Sequence, residues 1–343
     1  MEKIHKKIYI NAIKQISAQL PLAEEWFTNP VFYQNALVRA LEPDYKQFFT
    51  PIESRRLGKI LKRALLVSRQ VMHESGVPNP DAIITGTGLG CIESTEIFLD
   101  KLVRDGEELL NPTHFMQSTH NTIGSLIAID TKCHSYNSTY AHKGISFECA
   151  LQDAFLQLSG NHTRVTPAQT ALIGAHDEMT PAYFSLLRKA GYLGKPNQTF
   201  GGETAVAMML STEKTEKTLC KIESLDLQYL RSPNIAQLNI ENIDYVMIGI
   251  NGVPENDQIY LDNCAKLFPN IPLLHYKHIF GESYTAAAFG VYAAAICLQK
   301  GEISEHLQFA TSNYHTNKKF NKILCYNHFE GKNHAFTLLS RSS

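Results

Sequence analysis

Residues 136–155, YNSTYAHKGISFECALQDAF, place a strand and a helix on either side of a single glycine. Tyr136 to Ala141 form a strand-like run, and the apolar residues that follow Gly144 recur at helical spacing. The sequence therefore predicts a strand that turns sharply at Gly144 into a helix. Enzymes often place a nucleophile at such a turn, because the amides at a helix start favour negative charge. Here the position holds a residue without a reactive side chain.

The composition of the chain is that of an ordinary globular protein. It has 343 residues, 44% hydrophobic and 19% charged, which is enough for two domains or one large duplicated unit. The formal net charge of −1 gives no basic field for nucleic acid or an anionic membrane. The local exception is the basic run Arg55 to Arg63, whose charges we assign to the solvated side of a helix over 53–75. Docking of an acidic carrier protein on this run is the alternative.

Cysteine usage and the apolar segments predict a cytoplasmic protein. The seven cysteines form no CxxC pair and no metal-ligand spacing, as expected for reduced thiols. The start, MEKIHKKIYINAI, has no apolar segment long enough for a signal peptide. The Ala-rich run from Thr285 to Leu298 is shorter than the ~20 residues of a membrane span, so we expect a buried core helix. We predict no membrane span, no metal and no cofactor.

Strand-like runs alternate with helical segments along the chain. The predicted strands are KKIYINAI near the start, the first part of 82–90, NSTYA, 170–178, 205–212, 245–252, 275–281 and 323–329. The helix over 53–75 should end at Gly76 and Pro78. Apolar strands joined by helices predict an α/β protein with buried sheets. The pattern restarts after about residue 195, which suits a duplicated fold with halves 1–195 and 196–343.

Two local patterns could suggest other chemistry. GTGLG, residues 86–90, lacks the GxGxxG spacing of a dinucleotide-binding loop, which favours a tight strand-to-helix turn. Cys149, His142 and Asp177 could form a nucleophile set if the fold brought them together. However, Cys149 falls one turn inside the predicted helix, so a buried structural thiol is the better interpretation.

Six short motifs are more informative in their order than singly. They are NPTHFMQSTHNTIGSLIAI (111–129), the strand–turn–helix at 139–154, GGETAVAMM (201–209), INGVPENDQ (250–258), KHIFGESYTAAAFG (277–290) and NHFEGKNHAFTLL (327–339). From about Pro51 to Leu339, their order and spacing resemble the β-ketoacyl-acyl-carrier-protein synthase family. The resemblance implies an α/β protein with the thiolase-like duplicated αβαβα layered fold.

The condensing chemistry of that family needs one cysteine and two histidines, and the resemblance places other residues at all three positions. Gly144 falls at the cysteine, Asn251 at the first histidine and Glu282 at the second. Glycine carries no nucleophile, and asparagine is neither acid nor base near neutral pH. An ionised Glu282 would repel both a malonyl carboxylate and an enolate. We therefore expect no catalytic residue.

Other family positions are retained, at least in part. Lys277 and Glu203 match residues that the family keeps, and Phe329 matches the phenylalanine of its GFGG gating loop. His328 and Glu330 replace the glycines on either side of Phe329, which should stiffen this loop.

Family members without the catalytic residues are known as chain-length factors, so the resemblance implies a non-catalytic subunit. It would form a heterodimer with an active β-ketoacyl synthase, meet acyl carrier protein through that complex, and shape the tunnel for a polyketide or polyene chain. Aryl-polyene and flexirubin pigments are examples of such products. The strand at 136–141 is expected at or near the dimer interface. Candidates for the interface and for tunnel depth are Phe115, Met116 and Tyr140.

Two alternatives remain. One is an acyl-thioester hydrolase or acyltransferase that has a relocated nucleophile on the same fold. The other is a structural homodimer or a regulatory protein that binds acyl carriers.

Overall fold

In the computed structural model, the described residues (7–107, 110–160, 168–234, 242–309 and 319–342) form ten strands in one sheet. The strands are β1 (Ile8–Ile16), β2 (Ala82–Gly86), β3 (Tyr136–Tyr140), β4 (Thr170–Asp177), β5 (Thr204–Ser211), β6 (Cys220–Tyr229), β7 (Tyr245–Ile248), β8 (Leu273–His275), β9 (Lys322–Phe329) and β10 (Asn333–Arg341). Their order across the sheet is β3-β2-β4-β5-β1-β6-β10-β9-β7-β8.

Helices connect and cover these strands. They are α1 (Pro51–Arg56), α2 (Lys59–Ser75), α3 (Ile92–Asp105), α4 (Pro112–Gln117), α5 (Thr122–Thr131), α6 (Ser146–Ser159), α7 (Pro181–Lys189), α8 (Pro254–Leu267), α9 (Lys277–Phe280) and α10 (Ala287–Lys300). Within the described ranges, we find no helix with the length and apolar character that crossing a bilayer requires.

The strand order repeats, which confirms the predicted duplication. The first group reads β3-β2-β4-β5-β1 and the second reads β8-β7-β9-β10-β6, the same order within each group. In both groups four strands run in the same direction, and one strand, β5 in the first group and β10 in the second, runs antiparallel to them. A short antiparallel pairing of β1 with β6 joins the groups. The first group ends with β5, which lies beyond residue 195, so the domain boundary at that residue stays a prediction.

Both faces of the strands are buried, as the apolar runs predict. Successive residues of β5 point to opposite faces. Val206 and Met208 lie in the core that contains α6 and α10, whereas Ala207 and Met209 pack with α2 and α5. On the second group, α8 covers the outer face through Tyr260. The structure therefore has five layers. In order, they are the helices α2 and α5, the first group of strands, the helices α6 and α10, the second group of strands, and the helix α8. This is the αβαβα arrangement.

Two predicted elements need correction. The strand predicted at 275–281 is wrong over most of its length, because β8 ends at His275 and Lys277–Phe280 turn into α9. Ile279 and Phe280 are both fully buried, and a short apolar run of this kind is equally compatible with a buried strand and with a helical turn. The helix predicted over 53–75 is interrupted, because Gly58 is extended between α1 and α2. Its predicted end is confirmed, because Gly76 caps α2 in a left-handed conformation with a φ of 73°.

Arg63 also corrects the interpretation of the basic run, because it does not lie on a solvated helix face. Its side chain is fully buried, and its Nη1 lies 3.0 Å from Glu203 Oε2. Arg39 Nε lies 3.0 Å from the other oxygen of Glu203. Burial alone would raise the pKa of Glu203, but Arg63, the Ala40 amide and Arg39 outweigh it and lower that pKa. The ion pair therefore ties α2 to the start of β5.

The Arg63–Glu203 pair leads to a stability prediction. Arg63→Ala should lower the free energy of unfolding by about 3–5 kcal/mol, because Glu203 would stay buried without its main counter-charge. Urea unfolding followed by circular dichroism measures this change. Lys59→Ala removes an exposed cation from the same helix and should cost no more than about 0.5 kcal/mol. Similar small losses in both variants would contradict a buried pair.

Candidate functional site

A cavity of about 670 Å³ opens where the parallel strands of both groups end. Its lining includes Gly144 after β3, Asn251 after β7, Glu282 and Lys277 after β8, and Phe329 at the end of β9. In α/β proteins, ligands commonly bind at the carboxyl ends of parallel strands. The structure thus brings together the three positions that match the condensing residues, together with two of the retained family positions.

The turn before α6 packs so closely against Phe329 that a side chain at position 144 would clash with the ring unless the ring moved. The turn spans Lys143–Ile145, and Lys143 adopts a left-handed φ of 50°. A Cβ at Gly144 would lie 3.0 Å from Phe329 Cγ and closer still to Cδ2. Real Cβ atoms do not approach a ring this closely, so this conformation needs glycine. The Phe329 ring occupies the space that a side chain at the turn would need.

Asn327, which lies on β9, holds the same turn in place through hydrogen bonds. Its Nδ2 donates to Gly144 O at 3.0 Å and to Glu148 Oε1 at 2.6 Å, while Tyr260 donates to its Oδ1 at 2.8 Å. Burial raises the pKa of Glu148 to about 7. Neither Asn327 nor Glu148 belongs to the site predicted from sequence. A carboxylate among the apolar positions of the α6 segment is the one signal that could have drawn attention to Glu148.

Asn251, Glu282 and Lys277 form a hydrogen-bonded cluster in the cavity. Glu282 Oε2 accepts from Lys277 Nζ at 2.8 Å and from Asn251 Nδ2 at 2.7 Å. The Oδ1 of Asn251 accepts from the Val253 amide and from Asn256 Nδ2, each at 3.2 Å. These bonds fix the orientation of the Asn251 amide, so that its NH₂ group faces Glu282. The cluster is an ion pair supported by an amide donor.

The remaining predicted residues lie outside the cavity lining. Glu203 is buried with Arg63 and Arg39, as described above. Phe115 and Met116 lie on α4 with 58% and 63% of their surface exposed. Tyr140 ends β3, which is at the edge of the sheet. None of the three is among the residues that line the described cavity, so their role at an interface or a tunnel stays a prediction.

Cys149, His142 and Asp177 lie in surroundings that do not suit a nucleophile set. Asp177 is buried and accepts at 2.7 Å from the amides of Gly88, in the GTGLG turn, and of Thr285. His142 is exposed. Burial, with a smaller contribution from nearby Glu148, raises the pKa of the Cys149 thiol to about 11. The thiol is therefore protonated near neutral pH.

Comparisons with known proteins were made with the sequence and with the structure. A family model described as "Beta-ketoacyl synthase, N-terminal domain" matches residues 25–242. No curated protein matches the chain. Among solved structures, the ishigamide ketosynthase/chain length factor is similar, with a TM-score of 0.79 and 15% identity, covering 99% of this chain and 100% of that chain.

Two further solved structures are similar over almost all of their length. The ketosynthase ApeO in complex with its chain length factor ApeC, from Xenorhabdus doucetiae, has a TM-score of 0.78 and 13% identity, covering 98% of each chain. AntDE:AntF, a type II PKS acyl-carrier protein in complex with its ketosynthase bound to the hexaketide, also has a TM-score of 0.78 and 13% identity, covering 98% of this chain and 99% of that chain. At these identities, the structural matches establish a shared fold.

The contact between Gly144 and Phe329 predicts a steric coupling. Gly144→Ala should lower the free energy of unfolding by about 1–3 kcal/mol, because the new methyl group overpacks against the ring. In a Phe329→Ala background the same change should cost much less, which a double-mutant cycle by urea unfolding would measure. Gly58→Ala is the control, because a Cβ there meets no atom within 4 Å and its cost should not depend on Phe329. Equal costs of Gly144→Ala in the two backgrounds would contradict the contact.

The raised pKa of Cys149 predicts how the thiol reacts. Iodoacetamide should label Cys149 slowly at pH 7, and the rate should rise about tenfold per pH unit towards pH 9.5, because the thiolate is the reacting form. Peptide mass spectrometry follows the labelling, with Cys133 as an internal reference. Labelling of Cys149 at pH 7 that is fast and much faster than at Cys133 would instead support a relocated nucleophile.

Proposed function

Because the chain belongs to the β-ketoacyl synthase family, we propose that it is a non-catalytic, chain-length-factor-like subunit of a ketosynthase heterodimer. The observation that carries this proposal is the contact between Gly144 and Phe329. A condensing synthase forms a thioester with a cysteine at the matched position. Here that position has no side chain, and the Phe329 ring lies where one would project.

The charges around the cavity support the same proposal. Asn251 and Glu282 match the two histidines, which in a condensing enzyme assist decarboxylation and stabilise the enolate oxygen. The Asn251 amide cannot act as a general acid or base near neutral pH. The carboxylate of Glu282, paired with Lys277, adds negative charge where a condensing site must accommodate a developing negative charge. The residues present are therefore poorly suited to decarboxylative condensation.

The position of β3 in the sheet supports a partner subunit. β3 is the end strand of the described sheet and pairs with β2 on one side, and an end strand can pair with a strand of a second chain. Exposed apolar side chains lie nearby. Ile129, with 73% of its surface exposed, is on α5, which packs against β3. We infer that an active β-ketoacyl synthase covers this region and that acyl carrier protein is met through the complex.

The proposed role is to shape the tunnel for a growing polyketide or polyene chain. Its support is the family membership together with the structural likeness to assemblies described as ketosynthase and chain length factor. An aryl-polyene or flexirubin-type product stays a prediction. For the alternative, a thioester hydrolase or acyltransferase with a relocated nucleophile, Cys149 is a poor candidate because burial raises the pKa of its thiol to about 11.

Co-expression with candidate β-ketoacyl synthases tests the proposed function. Size-exclusion chromatography with light scattering should give a stable 1:1 complex of the chain and one synthase. Met116→Asp should weaken this complex by about tenfold or more, because it places a charge in an apolar interface. Tyr229→Asp, at a side chain that is 73% exposed on β6, is the matched control and should leave the complex intact. A chain that forms only a homodimer and binds no synthase would overturn the proposal.

A further inference from the structure

The carboxylate of Glu282 is held as a bound anion would be held. One oxygen receives two donors, the ammonium of Lys277 and the amide of Asn251, at 2.8 and 2.7 Å. The Glu282 side chain lines the cavity and is only 15% exposed. Convergent charged and amide donors of this kind are what proteins use to recognise a carboxylate ligand. Here the ligand group belongs to the chain itself.

The Asn251 donor is held in place by bonds that do not involve Glu282. Its Oδ1 is bound by the Val253 amide and by Asn256, so the amide group cannot turn over without losing both bonds. The carboxylate of Asp257 also accepts from the backbone amide of Asn251 at 2.9 Å. Asn251 would therefore present the same donor to any carboxylate in this place, which is the preorganisation that favours binding.

The Lys277 donor needs an anion. Its side chain is 9% exposed, and the ion pair that the structure describes for it is the one with Glu282. A largely desolvated ammonium without a counter-charge is unfavourable. If Glu282 were shortened, Lys277 would lose its ion pair and would keep only the weaker, longer-range interactions with Asp257 and Glu148, so a replacement anion would be favoured.

Glu282 itself is fixed by its backbone. Its amide donates to Phe200 O and its carbonyl accepts from the Gly202 amide, each at 2.9 Å, and the two segments form a bridge at Gly201. The side chain therefore reaches the donors from a rigid base, and a rotation of the loop cannot easily withdraw it.

We propose that Lys277 and Asn251 form a binding site for short-chain carboxylates, which the chain fills with its own Glu282 and thereby closes to external ligands. The proposal rests on the proposed function and deepens it, because a closed carboxylate site would exclude a malonyl group from the cavity of the non-catalytic subunit. Beyond its Cβ, glutamate is a CH₂–COO⁻ group, so acetate matches the atoms that Glu282→Ala removes.

Thermal unfolding of the isolated chain tests the site with acetate as the probe. The Tm of Glu282→Ala should rise by several degrees in acetate relative to chloride at equal ionic strength, because acetate binds the folded state. Acetamide, which has a similar shape but no charge, should give no rise. The wild type should not respond to acetate, and the double variant Glu282→Ala/Lys277→Met should lose the response.

Two control variants sharpen the result. Glu255→Ala removes an exposed carboxylate from the cavity lining and should give no acetate response. Glu282→Gln removes the charge but fills the space, so it should also fail to respond. An acetate response of the same size in Glu255→Ala or in the wild type, or none in Glu282→Ala, would overturn the proposal.

If Glu282→Ala does not fold in chloride, the yield of soluble protein after refolding in acetate, relative to acetamide, replaces the Tm. Recovery in acetate alone supports the site, and recovery in neither solution overturns it. These measurements involve neither a synthase nor condensation. A negative acetate result is therefore compatible with a 1:1 complex, and absence of the complex is compatible with acetate binding, so the two proposals can be overturned separately.

Discussion

The contact between the Phe329 ring and Gly144 determines what the cavity can contain. It joins the end of β9 to the start of α6, and Asn327 strengthens the junction by bonding to Gly144 O and to Glu148. The strand, the turn and the helix are all present, with Phe329 lying where a side chain on the turn would project. In this arrangement the strand and the helix keep their contacts with neighbouring elements, and the Phe329 ring fills the space beside the turn. The proposed partner role follows from this constraint.

Two buried carboxylates, Glu203 and Glu148, show how neighbouring groups shift the pKa of a buried acid. Glu203 has two arginines, which lower its pKa in spite of burial, so it acts as an ionised link between α2 and β5. Glu148 has the amide of Asn327 and only a distant contribution from Lys277, so burial dominates and raises its pKa to about 7. Glu282 is 15% exposed and accepts hydrogen bonds from one lysine and one amide on a single oxygen. Only Glu282 projects into the cavity from a position that matches a catalytic histidine, which is why its ion pair bears on function.

The sequence was sufficient for the fold class and for placing Gly144, Asn251 and Glu282 at one cavity, but it missed Asn327 and Glu148 and did not show how the site is packed. The apolar runs and the restart of the pattern predict a duplicated α/β fold, and the motif order predicts that Gly144, Asn251 and Glu282 meet.

The charge pattern of the basic run predicts an exposed Arg63, and this prediction is wrong. The partner of Arg63, Glu203, is distant in sequence, and only the fold brings the two together. The short segment after β8 shows that an apolar run of a few residues does not distinguish a strand from a helical turn. β6 and β10 carry many polar residues and are absent from the predicted strands. The contact between Gly144 and Phe329 depends on how the two halves of the sheet are placed relative to each other. A local sequence pattern cannot predict this placement.

The central claim is that this chain assists a condensing enzyme and does not condense substrates itself. The most direct measurement is the rate at which the purified chain, alone and with its synthase, converts acyl- and malonyl-carrier substrates into longer chains. We expect no condensation by the chain alone, and activity in the complex that produces a chain-length distribution different from that of the synthase alone. Condensation by the isolated chain at a rate comparable to that of an authentic synthase would contradict the account.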